Sequence, residues 1–304
     1  MKNIIALAFI LMCGTSIYAQ SDVGFTHFNF NKLPYNPAYA GSKETLDMTA
    51  IYRNQWIGID GAPKSLTASA HAPFFNKRAG FGINIMSDNI GKIKAQNLDL
   101  SYAYRIPMGK NRTFSIGVSA GAELASVNWV DADPTQLGDG TIPSANDSYV
   151  NPQFGVGAYY LTPKWFAGVS VPSLLNTSYL NFGDQIGTSD NRTIYGMVGL
   201  MTRLNDNIQF KPTAMISFNP GAPIDVDLNA NFLFLDKFWL GASYRLNDSF
   251  DALVQYEVTR RLKMGMSFDF TTSELQKFSR GSVEFMLGYT FSCEDCDIHS
   301  IRYF

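Results

Sequence analysis

Chemistry in this 304-residue chain would have to start from very few groups, because only three histidines and three cysteines occur. The histidines are His27, His71 and His299. A Ser–His–acid site, or a histidine-based metal site, needs at least one of them with partners converging on it. His71 alternates with Ser69 and Thr67 on one face of a strand pattern, a grouping from which a hydrolase could be built. The ordinary alternative is a lone interior histidine with a structural role. Cys293 and Cys296 stand three apart in Ser-Cys-Glu-Asp-Cys-Asp-Ile-His. With His299 they could hold zinc, but a fourth ligand is not apparent. In an oxidising envelope the simpler outcome is a local disulfide, and no βαβ pattern surrounds the pair to suit a thioredoxin-like role. Asp131, Asp133 and Asp139 share acidity with a calcium loop but miss the EF-hand spacing. Gly80-Phe81-Gly82, Gly117 with Gly121, and Gly155-Val156-Gly157 lie inside strand patterns with no helix behind them. They fail the context of a phosphate loop and fit places where strands bend or pack closely. No catalytic residue, metal or cofactor is expected.

The elements that would position these groups repeat with a period of two. Leu98, Leu100, Tyr102, Tyr104 and Ile106 alternate with Asn97, Asp99, Ser101, Ala103 and Arg105. Ile224, Val226, Leu228, Ala230 and Phe232 alternate with Asp225, Asp227, Asn229 and Asn231. A helix would mix these faces, whereas a strand separates them. About fourteen such segments follow one another: 45–58, 65–73, 79–87, 94–107, 113–127, 153–161, 165–172, 192–203, 208–218, 223–234, 238–246, 250–258, 262–270 and 282–291. Each is near the roughly 9–11 residues that cross a bilayer at a tilt. The segment at 192–203 alternates poorly.

The connections sort by length. Every even-numbered link is short, and the three long ones, 128–152, 173–191 and 271–281, are all odd-numbered and so on one face. Short periplasmic turns opposite longer extracellular loops are the habit of outer-membrane barrels, and a soluble β-sandwich has no reason to sort its loops so. The expected fold is all-β, a transmembrane outer-membrane barrel of about 14 antiparallel strands, with an exported soluble all-β protein as the alternative. Polar residues such as Asp99, Arg105, Glu123, Lys211, Asp227, Arg245 and Asp269 then line the interior. Trp56, Trp165, Phe238 and Trp239, near segment ends, are candidates for the aromatic girdles at the lipid boundary.

Lys2 followed by apolar residues 4–12 and the small Ala19 reads as a signal peptide spanning 1–19, with a lipoprotein signal at Cys13 disfavoured by bulky Met12. Residues 20–44 are expected as a periplasmic segment, 45–291 as the barrel, and 292–304 as a periplasmic tail. Both termini then lie on the periplasmic side. The composition agrees: charged residues are 16% against roughly 25% in soluble domains, and aromatics are 14%. Lys+Arg 24 against Asp+Glu 26 leaves no positive excess to meet nucleic acid.

The most specific signal is Leu33-Pro34-Tyr35-Asn36-Pro37-Ala38-Tyr39-Ala40-Gly41, followed by Arg53-Asn54-Gln55-Trp56. An N-P-A-Y-A-G element before an R-x-Q-W element resembles the PorP/SprF family of outer-membrane proteins of the type IX secretion system of Bacteroidota. The resemblance implies a non-enzymatic secretion component whose partners are outer-membrane lipid, other type IX components and a secreted cargo domain such as a gliding adhesin. Asn36-Pro37 is a turn initiator, and Ala38, Ala40 and Gly41 are small enough for close packing. These motifs either meet a partner or seat the amino-terminal segment against the barrel. The alternative function is a passive transporter or porin, FadL-like, since such barrels are similar in strand number and in an Asn-Pro-Ala element.

Overall fold

The computed structural model describes residues 24–43, 45–75, 77–109, 111–129, 146–175, 177–182, 185–189, 192–220 and 222–291. The expected signal peptide, Asp131, Asp133 and Asp139, and the tail with Cys293, Cys296 and His299 lie outside them.

The described residues form fourteen barrel strands: β1 Asp47–Asn54, β2 Lys64–Phe74, β3 Ala79–Ile90, β4 Ile93–Pro107, β5 Thr113–Val127, β6 Asp147–Leu161, β7 Trp165–Val171, β8 Ile194–Leu200 continued by Thr202–Asn205, β9 Ile208–Phe218, β10 Asp225–Phe234, β11 Phe238–Arg245, β12 Ser249–Glu257, β13 Leu262–Thr271 and β14 Ser282–Thr290. Each pairs antiparallel with its sequence neighbour, β7 with β8 and β8 with β9 included, and β1 pairs with β14 to close the ring. The poor alternation in β8 has a cause. The strand is interrupted at Met201, its register shifts between Arg203 and Asn205, and Thr202–Asn205 are exposed throughout.

The side chains sort as the period of two requires. Leu98, Leu100, Tyr102 and Tyr104 point out of β4, while Ser101, Ala103 and Arg105 are buried inside. Leu100 is 58% exposed and Val150 68%, and dozens of large apolar side chains share this outer face. An apolar belt of that extent needs a lipid cover, because water around it would cost far more than a small surface patch does. Among the described residues no helix is long and apolar enough to cross a membrane; the crossing is by strands.

Two departures from the expected spans matter. β6 begins at Asp147, inside what reads as a loop, and so reaches 15 residues, the length of β4 and of β5, which keeps its expected span 113–127. At roughly 3.4 Å per residue and a tilt of about 40°, such strands stand roughly 39 Å tall against an apolar band of about 25 Å. The outer faces of β4 and β6 turn polar at the long-loop end, with Lys94, Gln96 and Ser148 exposed there, as is Asn89 at the end of β3. In the seventh link Thr177–Phe182 and Gln185–Ser189 form a further hairpin outside the ring.

Residues 24–43 overturn an expectation. They do not stand free in the periplasm but fold inside the barrel, through two 3₁₀ turns, Thr26–Asn29 and Pro37–Tyr39. Phe25, Phe28, Leu33, Tyr35 and Tyr39 pack there against Tyr159, Phe166, Tyr195 and Trp239 of the wall. Five apolar side chains left in water would forfeit about 1.5–3 kcal/mol each, and the lumen is where they find cover. Gly24 lies beside the Arg245 guanidinium at the long-loop end, whereas Phe291 bonds Leu46 at the short-turn end, so the described chain starts and finishes at opposite mouths. Trp239 belongs to no girdle: it is 1% exposed and faces the lumen, whereas its neighbour Phe238 is 41% exposed on the outside. Adjacent strand residues cannot both face lipid.

Candidate functional site

The site that the motifs build is the contact between this plug and the wall. At its long-loop end it is a buried charge cluster spread over three strands. Arg53 of β1 pairs with Asp269 of β13 at 2.6 Å and with Glu284 of β14 at 3.1 Å. The plug supplies the rest. Thr26 accepts from Arg53 and donates to Asp269, and the backbone N–H groups of Thr26 and His27 both donate to the Glu284 carboxylate. The His27 ring lies against the same carboxylate. Two carboxylates this deep need a matching cation and donors, since an unpaired buried charge is far costlier than a paired one. Nearby, Arg245 pairs with Asp227 at 2.9 Å and Asp248 at 3.5 Å.

Toward the short-turn end the contact is made of backbone. Asn36 caps the turn Pro37–Tyr39 by accepting from the Ala38 N–H at 2.9 Å, and its amide donates to the carbonyl of Ala158 on β6 at 3.1 Å. Pro37 stands at the first position of that turn, where a missing N–H costs nothing. A Cβ on Gly80 would lie 2.1 Å from the Ala40 carbonyl oxygen, and one on Gly117 2.3 Å from the Ala38 nitrogen. Those wall glycines, read from sequence as sites of close packing, are where the plug backbone touches the strands. Gly41 has φ +69°, which glycine adopts without strain, and its N–H donates to Nδ1 of His71 at 3.2 Å. His71 also meets Tyr39 edge to face. The interior histidine that could have begun a hydrolase is thus part of the seat. Ser170 of β7 donates to the Tyr35 carbonyl at 2.8 Å, and the Tyr35 hydroxyl accepts from the Phe25 N–H at 3.1 Å, folding the plug on itself. Burial pushes the hydroxyls of Tyr35 and Tyr39 well above the ordinary tyrosine range, so both stay protonated.

The lower part of the plug carries cations. Lys32 is fully buried; its ammonium donates to the Asn29 carbonyl at 2.7 Å and lies 4.6 Å from the centre of the Phe166 ring. Burial, then neighbouring Lys43 and Lys263, hold it well below the ordinary lysine range. Lys211 of β9 lies over the Phe30 ring at 5.0 Å.

Of the residues singled out from sequence, Tyr35, Asn36, Pro37, Ala38, Tyr39, Ala40 and Gly41 lie together in the lumen, and Arg53 faces the same lumen at its long-loop end. The remainder of the second motif does not. Asn54 ends β1, the Gln55 N–H donates to the Pro63 carbonyl, and the Trp56 N–H donates to Ser282 at the long-loop rim. Trp56 itself sits at φ 47°, holding the turn out of β1. Thr26, His27, Lys32, Asp269 and Glu284 were not singled out as a group. The aromatic content of 25–35 was the available signal, since a segment of that composition does not stay in water.

A family model, described as Type IX secretion system membrane protein PorP/SprF, matches residues 17–289. No curated protein sequence matches. Among solved structures, a Pseudomonas aeruginosa FadL homologue is similar at TM-score 0.51 with 11% identity, covering 86% of this chain and 94% of that one. The Acinetobacter baumannii outer membrane protein Omp33 gives TM-score 0.48 and 11% identity over 83% of this chain and all of the other. At such identity the FadL homologue bears on the fold alone.

Proposed function

The chain belongs to the PorP/SprF family of type IX secretion system membrane proteins and is an outer-membrane β-barrel; on that premise we propose that it works without catalysis, as a docking component for the secretion machinery and its surface cargo. The observation that carries this reading is the filled lumen. Residues 24–43 occupy it and are bonded to the wall at both ends, which leaves the rims and loops as the working surfaces. The raised wall of β4–β6 and the hairpin beside it suit a cargo domain received at the long-loop end. Secretion components would meet the short turns and the tail at 292–304, where Cys293 and Cys296 would form a local disulfide. The segment at 20–44, once the other candidate for that contact, has its described residues inside the barrel.

Deleting the gene should abolish export or surface display of at least one type IX substrate, restored by the intact protein and not by one lacking the 177–189 hairpin. Unchanged secretion and display of every substrate would overturn the proposal. The alternative, a FadL-like transporter, predicts steady solute-dependent flux in liposomes carrying the purified protein; a plugged barrel predicts none.

A further inference from the structure

We propose that a cleft on the outer face of the barrel, at its short-turn end, binds the headgroup phosphate of one anionic glycerophospholipid, held by Arg112 and Lys164 beside the rings of Tyr160 and Trp165. The cleft measures about 440 Å³ and is lined by these four residues with Thr162 and Pro163. Ligand pockets run from roughly 300 to 1,000 Å³, so the space suits a phosphodiester with its glycerol and is larger than a bare phosphate needs.

Two adjacent turns bring the cations together. Thr113 pairs with Leu161 where β5 meets β6, so Arg112 and Thr162 continue that ladder past the strand ends. Each turn is fixed by its own bonds. The Arg112 carbonyl accepts from the Met108 N–H at 2.8 Å. Thr162 Oγ1 accepts from the Trp165 N–H at 2.9 Å and from the Lys164 N–H at 3.3 Å. The Lys164 carbonyl accepts from the Met201 N–H at 2.7 Å. The backbone is held while the charged ends stay available: both side chains are exposed, and neither makes an ion pair or side-chain hydrogen bond among the described residues. No carboxylate lines the cleft among those residues. Two cations on neighbouring turns favour an anion between them, and a guanidinium meets a phosphate with two parallel hydrogen bonds.

The rings favour a lipid as the source of that phosphate. Tyr159 and Phe166 face the lumen, so their neighbours Tyr160 and Trp165 face outward. The centres of these two rings lie 5.1 Å apart. Along the wall the outer face continues with Ile116, Val156 and Val169, between 42% and 54% exposed, a track that acyl chains can cover and a free ion cannot. The short turns of outer-membrane barrels face the periplasm, and basic side chains beside an aromatic belt at headgroup level attract anionic lipid. The cleft also stands at the foot of the tall strands β4–β6. A headgroup gripped there would fix the depth of that sector, so that its surplus height projects at the long-loop end. This property is independent of any docking role in secretion.

The test is native mass spectrometry of the full-length barrel released from detergent, titrated with phosphatidylglycerol and, as the zwitterionic control, with phosphatidylcholine. One phosphatidylglycerol per chain should be retained, about fivefold or more tighter than phosphatidylcholine. Arg112→Gln and Lys164→Gln should each weaken it about fivefold, the size of one cation near an anionic headgroup, with heat-modifiable gel mobility confirming a folded barrel. Lys237→Gln, exposed on another short turn, should leave it unchanged. Retention no better than that of phosphatidylcholine, which needs no variant to interpret, would overturn the proposal, as would a site indifferent to both cleft substitutions. Equal loss in Lys237→Gln would replace the site with a diffuse basic collar and so overturn it too. If millimolar inorganic phosphate displaces the lipid, the lipid source is overturned in favour of a free anion.

Discussion

At the long-loop end the plug is held through side-chain charge, whereas toward the short-turn end it is held by backbone lying against glycine. The clasp of Arg53, Asp269 and Glu284 with Thr26 and His27 is complete only when every member is present. The seat of Ala38 to Gly41 on Gly80 and Gly117 works only while nothing is added. One region is therefore vulnerable to deletion and the other to addition. Both fix the same short segment, so their separate contributions can be read from hydrogen exchange of the plug's own amides, near residue 26 for the clasp and near residue 40 for the seat.

The largest effect is expected from Arg53→Met, which leaves two buried carboxylates without their cation. It should cost about 3–5 kcal/mol of plug docking, read as faster exchange at 26–28 and a lower urea midpoint; unchanged exchange there would remove the clasp from the comparison. Gly80→Ala comes next, since its new Cβ has no room against the Ala40 carbonyl. A cost of up to about 3 kcal/mol, with exchange quickened at 38–42 and preserved at 26–28, would show that the seat gives way alone. Asn36→Ala removes the cap of the turn and its bond to the wall, for about 1–2 kcal/mol, measured by the same exchange at 38–40. Ser170→Ala, losing one bond to the Tyr35 carbonyl, should cost about 1 kcal/mol. The smallest quantity is the coupling. Arg53 and Gly80 lie roughly 25 Å apart along the wall, so their double variant should be additive within about 0.5 kcal/mol; a larger departure would make clasp and seat a single unit.

Much of the wall was legible in the sequence because the alternation in segments such as 94–107 and 223–234 reports directly on two faces of a strand. Where it faltered, at 192–203, the strand itself is broken at Met201. The plug was legible only as a motif. Alternation describes strands and does not say which other segment enters their lumen, and the decisive contact, Thr26 to Glu284, joins residues 258 apart. Phe25, Phe28 and Phe30 in a segment assigned to water were the overlooked warning. Trp239 was misplaced for a simpler reason: its aromatic type suggested a girdle, while its parity with Phe238 already placed it inside.

The clasp also bears on how the ring can be assembled. Its carboxylates lie on β13 and β14 and its cation on β1, so it straddles the seam where the first and last strands meet. That seam is the most distant pairing in the chain, and long-range pairing is slow because chain entropy opposes it until the contact is made. The plug is synthesised before any strand and offers Thr26 and His27 to Glu284, so it can recruit the final hairpin to β1 and act as a mandrel around which the wall is wound. Weakening the clasp should then delay closure of the barrel as well as loosen the finished plug, and a chain lacking residues 24–43 should linger as an open sheet.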